Sequence, residues 1–424
     1  MENSIQLEKK IKDLNTESQT LPSWINKEYF TEFLKQNLKN FQSLQTFSVK
    51  TSTKSGENYA SNLMRIKLEV ILADNSSKTL NYILKTPLPS GESEFIDHLW
   101  SLFPKEIAVY REILPRFERL YREQGVNITF APKYFILPKT EGLDENAIIL
   151  EDLSCLGFGL QNRLVGLNLE YTKIVLKKLA KFHAVSARYV EVYGSYEPMF
   201  EQHMFSEETR SLYENVKIDY YYDYIKEYKG HEEYIDLIPK LLDNYLDLSI
   251  AASTTNPQDF NVLNHGDFWL NNVMFQHSKD QIQETYFIDF QLCKYGSPTL
   301  DLYMFLLSAT QLDIKLKYFD YFISFYHEHL TKQLKILKYS GKIPSLKELH
   351  IDLLKYGYIG FATVFNGLSM CLYEPKSEAE CNMDLLMHDS PEAEEYRRSL
   401  FLNDSFKEHT EQILPWLARR GLLE

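Results

Sequence analysis

The stretch that most constrains this chain runs Asn264-His265-Gly266-Asp267-Phe268-Trp269-Leu270-Asn271-Asn272-Val273-Met274-Phe275 and resumes at Tyr286-Phe287-Ile288-Asp289-Phe290-Gln291. Two short apolar runs, Val273–Phe275 and Tyr286–Ile288, flank a polar segment, a pattern that predicts a β-hairpin. Asp267 and Asn272 precede the first strand, and Asp289 follows the second directly. Two carboxylates and an amide oxygen therefore converge on one edge of a small sheet. Magnesium takes oxygen ligands, commonly one or two carboxylates together with substrate phosphates. A further carboxylate nearby can accept the proton of an attacking hydroxyl. The competing reading is a structural hairpin whose polar residues only cap turns.

The order His-x-Asp, an Asn five residues beyond the Asp, then a strand ending in Asp-Phe is that of kinase catalytic machinery. Gln291 stands where protein kinases have Gly. The form resembles small-molecule kinases of the aminoglycoside phosphotransferase and choline kinase group. His-Gly-Asp-Phe-Trp-x-x-Asn-x-Met-Phe followed by Ile-Asp-Phe-Gln resembles the ecdysteroid kinase-like family of insects. The resemblance runs from the region of Gly56 to about Phe365. It implies an α+β, bilobal protein-kinase-like fold. Residues 1–150 would form a nucleotide-binding lobe with an antiparallel sheet and a helix. Residues 151–424 would form a larger, mostly helical lobe for catalysis and substrate. It also implies ATP and Mg²⁺ as cofactors.

Further residues fit that frame. Met64, Ile66, Leu68 and Val70 alternate with Arg65, Lys67 and Glu69, which predicts a half-buried strand. Asp74–Ser77 reads as a turn and Leu80–Thr86 as the next strand. Lys85 ends that strand, as the kinase strand lysine does, and would neutralise phosphates while a helix Glu holds it. Glu106 is the candidate partner because it borders the face of Ile107, Tyr110 and Leu114; Glu112 competes from the opposite side. The segment Ser55-Gly56-Glu57-Asn58-Tyr59-Ala60-Ser61 lies between two strands. With one Gly it reads alone as a plain turn; the resemblance makes it a nucleotide loop, with Gly56 and Asn58 in the site. By the same resemblance, the Glu151 carbonyl and the Leu153 N–H would meet adenine, against the alternative of an ordinary linker.

The remaining helices are read from periodicity: Lys27–Leu38, Leu169–Val190, 206–250, 301–311, 318–340, an apolar 356–373 and Asp404–Arg419. His183 lies on an apolar helix face and reads as a core residue. Asp301 falls in a first helical turn, where a carboxylate favours the N-terminus, or it braces the loop at Asp267 from behind. The tyrosines at 220–224 suit either a pocket or a surface helix. A loosened segment, Cys155–Gly159, would mark the lobe boundary.

Bulk properties narrow the classes. A net charge of −13 opposes a nucleic-acid surface. Hydrophobic residues at 44% allow a large core, so disorder is not expected. The run at 356–373 is broken by Thr363, Asn366, Ser369 and three glycines, which argues against a membrane span. Met1–Gln19 has no apolar core, so no secretory signal is expected. Cys155, Cys293, Cys371 and Cys381 have no metal spacing and are too few for a disulfide framework, which predicts a reducing, cytoplasmic setting. The family resemblance implies a small-molecule alcohol as partner, an ecdysteroid or similar sterol or a hydroxylated xenobiotic. Sequence alone sets no oligomeric state. The alternative function is a catalytically inactive kinase fold that binds a ligand or partner.

Overall fold

Alternating apolar residues build a five-stranded antiparallel sheet in the N-terminal part. The computed structural model describes residues 21–51, 61–87, 100–214, 218–279, 281–375 and 390–424. The polar leader at 1–20 and the loop carrying Gly56 and Asn58 lie outside the described residues. The strands are β1 (Phe41–Thr51), β2 (Ser61–Leu72), β3 (Ser77–Pro87), β4 (Tyr134–Phe135) and β5 (Ile148–Glu151), in the order β1-β2-β3-β5-β4. On β2, Met64, Ile66, Leu68 and Val70 are buried while Arg65 and Lys67 are exposed. Because the side-chain period is two, that burial fixes the register. Met64 pairs with Leu84 and Leu63 with Lys85, so Lys85 projects from the face opposite the apolar one.

Each face receives a helix. Helix α1 (Lys27–Asn37) is capped by Asn26, whose Oδ1 accepts from the Tyr29 N–H at 2.8 Å. Its Phe30, Phe33 and Leu34 are fully buried over the apolar face. Phe33 meets Tyr82 and Phe135 edge-on, with centroids 5.3 and 6.1 Å apart. Beside the other face runs α2 (Leu102–Ala108), continued by a π-helical turn, Val109–Ile113, and by α3 (Leu114–Arg122). Its Phe103, Tyr110, Ile113 and Phe117 belong to a second, larger core shared with the C-terminal helices.

That larger core is organised by α4 (Leu169–Tyr193), capped by Asn168. A three-stranded sheet lies beside it: β6 (Phe158–Gly159), β8 (Val273–Ser278) and β9 (Gln281–Phe287), with β8 in the centre. A short ladder joins β7 (Val262–Asn264) to β10 (Lys294–Gly296). Helices α5 (Thr299–Ser308) and α6 (Phe319–Ile336) complete the surroundings of the site.

Several elements differ from their sequence reading. Residues Cys155–Gly159 are not loose: Asp152 caps a 3₁₀ turn, Leu153–Leu156, by accepting from the Ser154 N–H at 3.0 Å, and β6 then pairs with β8. Strand β4 is confined to Tyr134–Phe135, between Pro132 and Pro138. The 206–250 helix breaks into pieces, among them Tyr220–Ile225 and Tyr245–Ser253, where Gly230 adopts φ +74° and Pro239 opens a new helix. The 356–373 helix resolves into Tyr358–Ala362, a π-helical turn at Thr363–Leu368, and Ser369–Cys371. Tyr221 and Tyr224 are buried against Phe401, so they serve the core. Among the described residues, no helix is long and apolar enough to cross a membrane.

The covering role of α1 can be measured directly. Phe33→Ala removes a fully buried ring touching two strands, and urea unfolding should show a loss of about 3–5 kcal/mol. A loss below about 1 kcal/mol would contradict this packing.

Candidate active site

The β8–β9 hairpin gathers the polar residues at its open end. Val273 pairs with Phe287, so Asn272 before β8 and Asp289 after β9 fall at one edge. The Ile288 N–H donates to the Asn272 carbonyl at 3.1 Å and closes that edge. Asn272 Nδ2 donates to the Asp267 carbonyl at 2.8 Å and to Asp267 Oδ2 at 2.9 Å. Both N–H groups of the amide are thus spent on Asp267, and its Oδ1 is left for another partner. Asp289 adopts φ +65°. A side chain rarely takes that backbone, and such strain is held only where surrounding contacts enforce it.

Lys85 joins the sheet to this edge. Its Nζ lies 2.6 Å from Glu106 Oε2, 2.6 Å from Asp289 Oδ1 and 3.3 Å from Gln291 Oε1. Glu112 instead meets Arg111 at the surface, so α2 presents Glu106 to the lysine. Burial alone would lower the Lys85 amine; Asp289 and Glu106 outweigh it and hold the amine above its ordinary value. Burial pushes Glu106 up to about 7 against the pull of Lys85. Asp267 is also pushed up to about 7, by burial first and then by the Asp289 carboxylate. The pocket thus holds three carboxylates against one ammonium, which favours the arrival of a cation.

Main-chain geometry behind Asp267 is equally fixed. Asp301, in the first turn of α5, accepts from the His265 N–H at 2.7 Å and the Gly266 N–H at 3.0 Å. His183 on α4 supports Asp301 through Nε2 at 3.0 Å and bonds the Tyr326 hydroxyl of α6 through Nδ1 at 2.7 Å. His265 Nε2 meets the Ile288 carbonyl at 2.9 Å, and burial holds its imidazole below the usual value. Of the two readings open for Asp301, the brace behind the loop is therefore formed. His183 is a fully buried core residue, as its apolar face suggested.

Glu151 and Leu153 lie where β5 leaves the sheet. Lys85 pairs with Ile148 and Tyr82 with Glu151, so Glu151 sits three residues along the ladder, roughly 10 Å from Lys85. Asp152 between them is buried and tied to Arg65 Nε at 2.6 Å. The sequence reading assigned no role to Gln291 or Tyr326. Gln291 stood inside the motif already quoted, whereas Tyr326 carried no signal apart from its helical period.

The oxygens that could receive a divalent cation are Asn272 Oδ1 and the Asp289 carboxylate, whose Oδ2 is not engaged by Lys85. Their hard-oxygen chemistry suits magnesium. Among the described residues, no cluster of three or more His, Cys, Asp or Glu side chains could hold a metal unaided. A cation here would need phosphate or water oxygens to complete its shell.

Gly266 has φ +81°, and a Cβ there would lie 1.9 Å from the Leu292 carbonyl oxygen. Gly266→Ala should therefore cost more than the about 1–2 kcal/mol of left-handed strain alone, read as a fall in the unfolding midpoint. An unchanged midpoint would mean that the two segments can separate freely.

The family comparison agrees with the motif. A sequence model of the ecdysteroid kinase-like family matches residues 55–339. No curated protein matches the chain in sequence. Among solved structures, a Plasmodium vivax ethanolamine kinase is similar at 12% identity and TM-score 0.41, covering 85% of this chain and 83% of its own. The GDP complex of wild-type aminoglycoside 2'-phosphotransferase-IIIa is similar at 14% identity and TM-score 0.34, covering 80% of this chain and 97% of its own. A mutant of that phosphotransferase, also with GDP, gives 16% identity and TM-score 0.32 over 80% of this chain and 95% of its own. Since the family match spans well over half of its residues, this chain belongs to the ecdysteroid kinase-like family.

Proposed function

We propose that this protein is an ATP-dependent kinase that transfers the γ-phosphoryl group to a hydroxyl of a small molecule. Membership of a kinase-like family supports a small-molecule phosphotransferase. The observation that carries the residue assignment is the position of Lys85 between Glu106 and Asp289, beside the bonded pair Asp267–Asn272. In this reading Asn272 and Asp289 hold Mg²⁺, and the loop with Gly56 and Asn58 covers the phosphates. The Glu151 carbonyl and Leu153 N–H receive adenine. The lobes divide near residue 150, and the protein acts in the cytoplasm.

Mg·ATP, when bound, supplies the phosphoryl group and a cation that neutralises its oxygens. The chain's own residues supply position and charge. Lys85 offers its ammonium to phosphate oxygens, and Glu106 keeps that ammonium aimed once Asp289 is engaged elsewhere. Asp267 orients the acceptor hydroxyl and takes its proton; Asn272 fixes the carboxylate through Oδ2. Most of the acceleration then comes from positioning and electrostatics.

An uncharged acceptor fits best, an ecdysteroid or similar sterol or a hydroxylated xenobiotic. The 358–371 helical segment ends at Cys371, whose thiol is held above its ordinary value by burial. Arg163, the cation there, is occupied with the Cys371 and Tyr373 carbonyls, at 2.5 and 2.6 Å.

A mass-spectrometric screen for phosphorylated products, run against steroid, plant-metabolite and amino-alcohol libraries, tests the proposal. Asp289→Ala should abolish turnover, and turnover retained would reject the metal role. Thermal stabilisation by Mg·ATP with no product across the whole panel would favour an inactive, ligand-binding kinase fold instead.

Asp267→Asn separates catalysis from stability. Loss of the general base should lower turnover by about a hundredfold or more. The ligand-free protein should melt no lower than the parent, because the change removes a buried carboxylate that Asp289 repels. A large fall in melting temperature would show that the Asp267 carboxylate serves the fold.

A further inference from the structure

Two lysines outside the catalytic cluster are almost completely buried. Lys105, on α2, and Lys294, opening β10, are each 2% exposed. Lys105 Nζ donates to the Gln202 carbonyl at 3.0 Å. Lys294 Nζ donates to Thr255 Oγ1 at 2.7 Å and to the Tyr295 carbonyl at 2.6 Å. The turns carrying these acceptors are tied together: His203, next to Gln202, bonds Ser253 Oγ through Nδ1 at 2.9 Å. The two amines thus bond segments that are linked to one another, and Thr255 Oγ1 also donates to the Tyr295 carbonyl at 2.7 Å.

The charge of this corner is unbalanced. Among the described residues, neither lysine forms an ion pair with a carboxylate; Glu201, the acidic group nearest in effect to Lys294, is itself exposed. An ammonium has three N–H donors, so Lys105 spends one and Lys294 two on neutral oxygens. Taking an ammonium out of water costs several kcal/mol, and a buried charge is normally paired. The Phe205 N–H donates to His203 Nδ1 at 3.3 Å, so the ring's proton lies on Nε2 as a further donor.

We propose that Lys105 and Lys294, drawn together at these two turns, form a site for a small phosphate-class dianion distinct from the nucleotide site. A dianion matches the two ammonium charges, where a monocarboxylate would leave one unbalanced, and lysines bind phosphate well as point charges. Glu201 and Gln202, at the edge of this corner, are exposed. The proximity of the groups is also felt in their protonation. Burial pushes Lys105 down to about 8. It pushes Lys294 down to about 8 as well, with Lys105 adding to the effect and Glu201 opposing it. Burial, then the charges of Lys294 and Lys105, pushes His203 down to about 3. Lys105 and Glu106 are consecutive on α2, so an occupant here anchors the helix that presents Glu106 to Lys85.

Calorimetric titration of the full-length protein with inorganic phosphate at pH 7 tests the site. The expected result is one saturable isotherm, kept in Lys85→Met and weakened about tenfold or more in Lys105→Met and in Lys294→Met. In phosphate-free buffer both of these variants should melt no lower than the parent, and only the parent should gain stability on adding phosphate. Absence of saturable binding, an isotherm unchanged in both variants, or its loss in Lys85→Met would overturn the proposal. So would a lowered melting temperature of both variants without phosphate, which would assign the two lysines to the fold.

Discussion

A single ammonium group ties together parts of the chain that share little else. Lys85 comes from the N-terminal sheet, Glu106 from the helix beside it, and Asp289 from the end of a hairpin far along the sequence. Each partner alone would be a costly charge to bury, and burying them together repays that cost only through close, well-directed contacts. Its contribution is therefore better understood as specificity than as stability: it holds the sheet, α2 and the hairpin in one arrangement. Burial first, with the Asp289 carboxylate adding to it, pushes Glu106 and Asp267 up to about 7, and Lys85 opposes the shift. Added positive charge beside these carboxylates would favour their ionised form.

Around that centre, rigidity is obtained from main-chain hydrogen bonds and aromatic packing. Asp301 grips two consecutive N–H groups of the loop at Asp267, His183 secures Asp301, and Tyr326 on another helix secures His183. Phe268 and Phe290 sandwich this layer against Phe305 and Phe182. The side chains at 267, 272 and 289 consequently stand on a support with little freedom to drift, which is what positioning catalysis demands. The excess of Tyr and Phe in the composition is used mainly here and in the helical core.

Much of this was legible because the informative signals are local. The period-two alternation of Met64–Val70 announced a strand with one buried face, and the spacing from Asp267 to Asn272 and the end of a strand at Asp289 announced a shared edge. Glu106 could be preferred to Glu112 because a helix has sides. Where sequence reading failed, locality failed. Tyrosines on every side of the 206–250 region carry no period that reveals its breaks, and the 356–373 run, apolar along most of its length, gives no local signal of the π-helical turn within it. Asp301 had two acceptable roles in sequence, and only the approach of the His265 and Gly266 N–H groups distinguishes them. Lys105 and Lys294 lie too far apart in the chain for any spacing to join them.

The wide turn at Val109–Ile113 follows directly after the segment that carries Glu106. Each ordinary helical residue advances by about 100° around the axis, and an i→i+5 turn absorbs one residue beyond the regular winding. The same rod can therefore aim one side at the lysine before the turn and a differently phased side into the aromatic interior after it. Chain length between Glu106 and Phe117 is thereby as constrained as chemistry: removing one residue would rewind the rod and set its two ends out of phase.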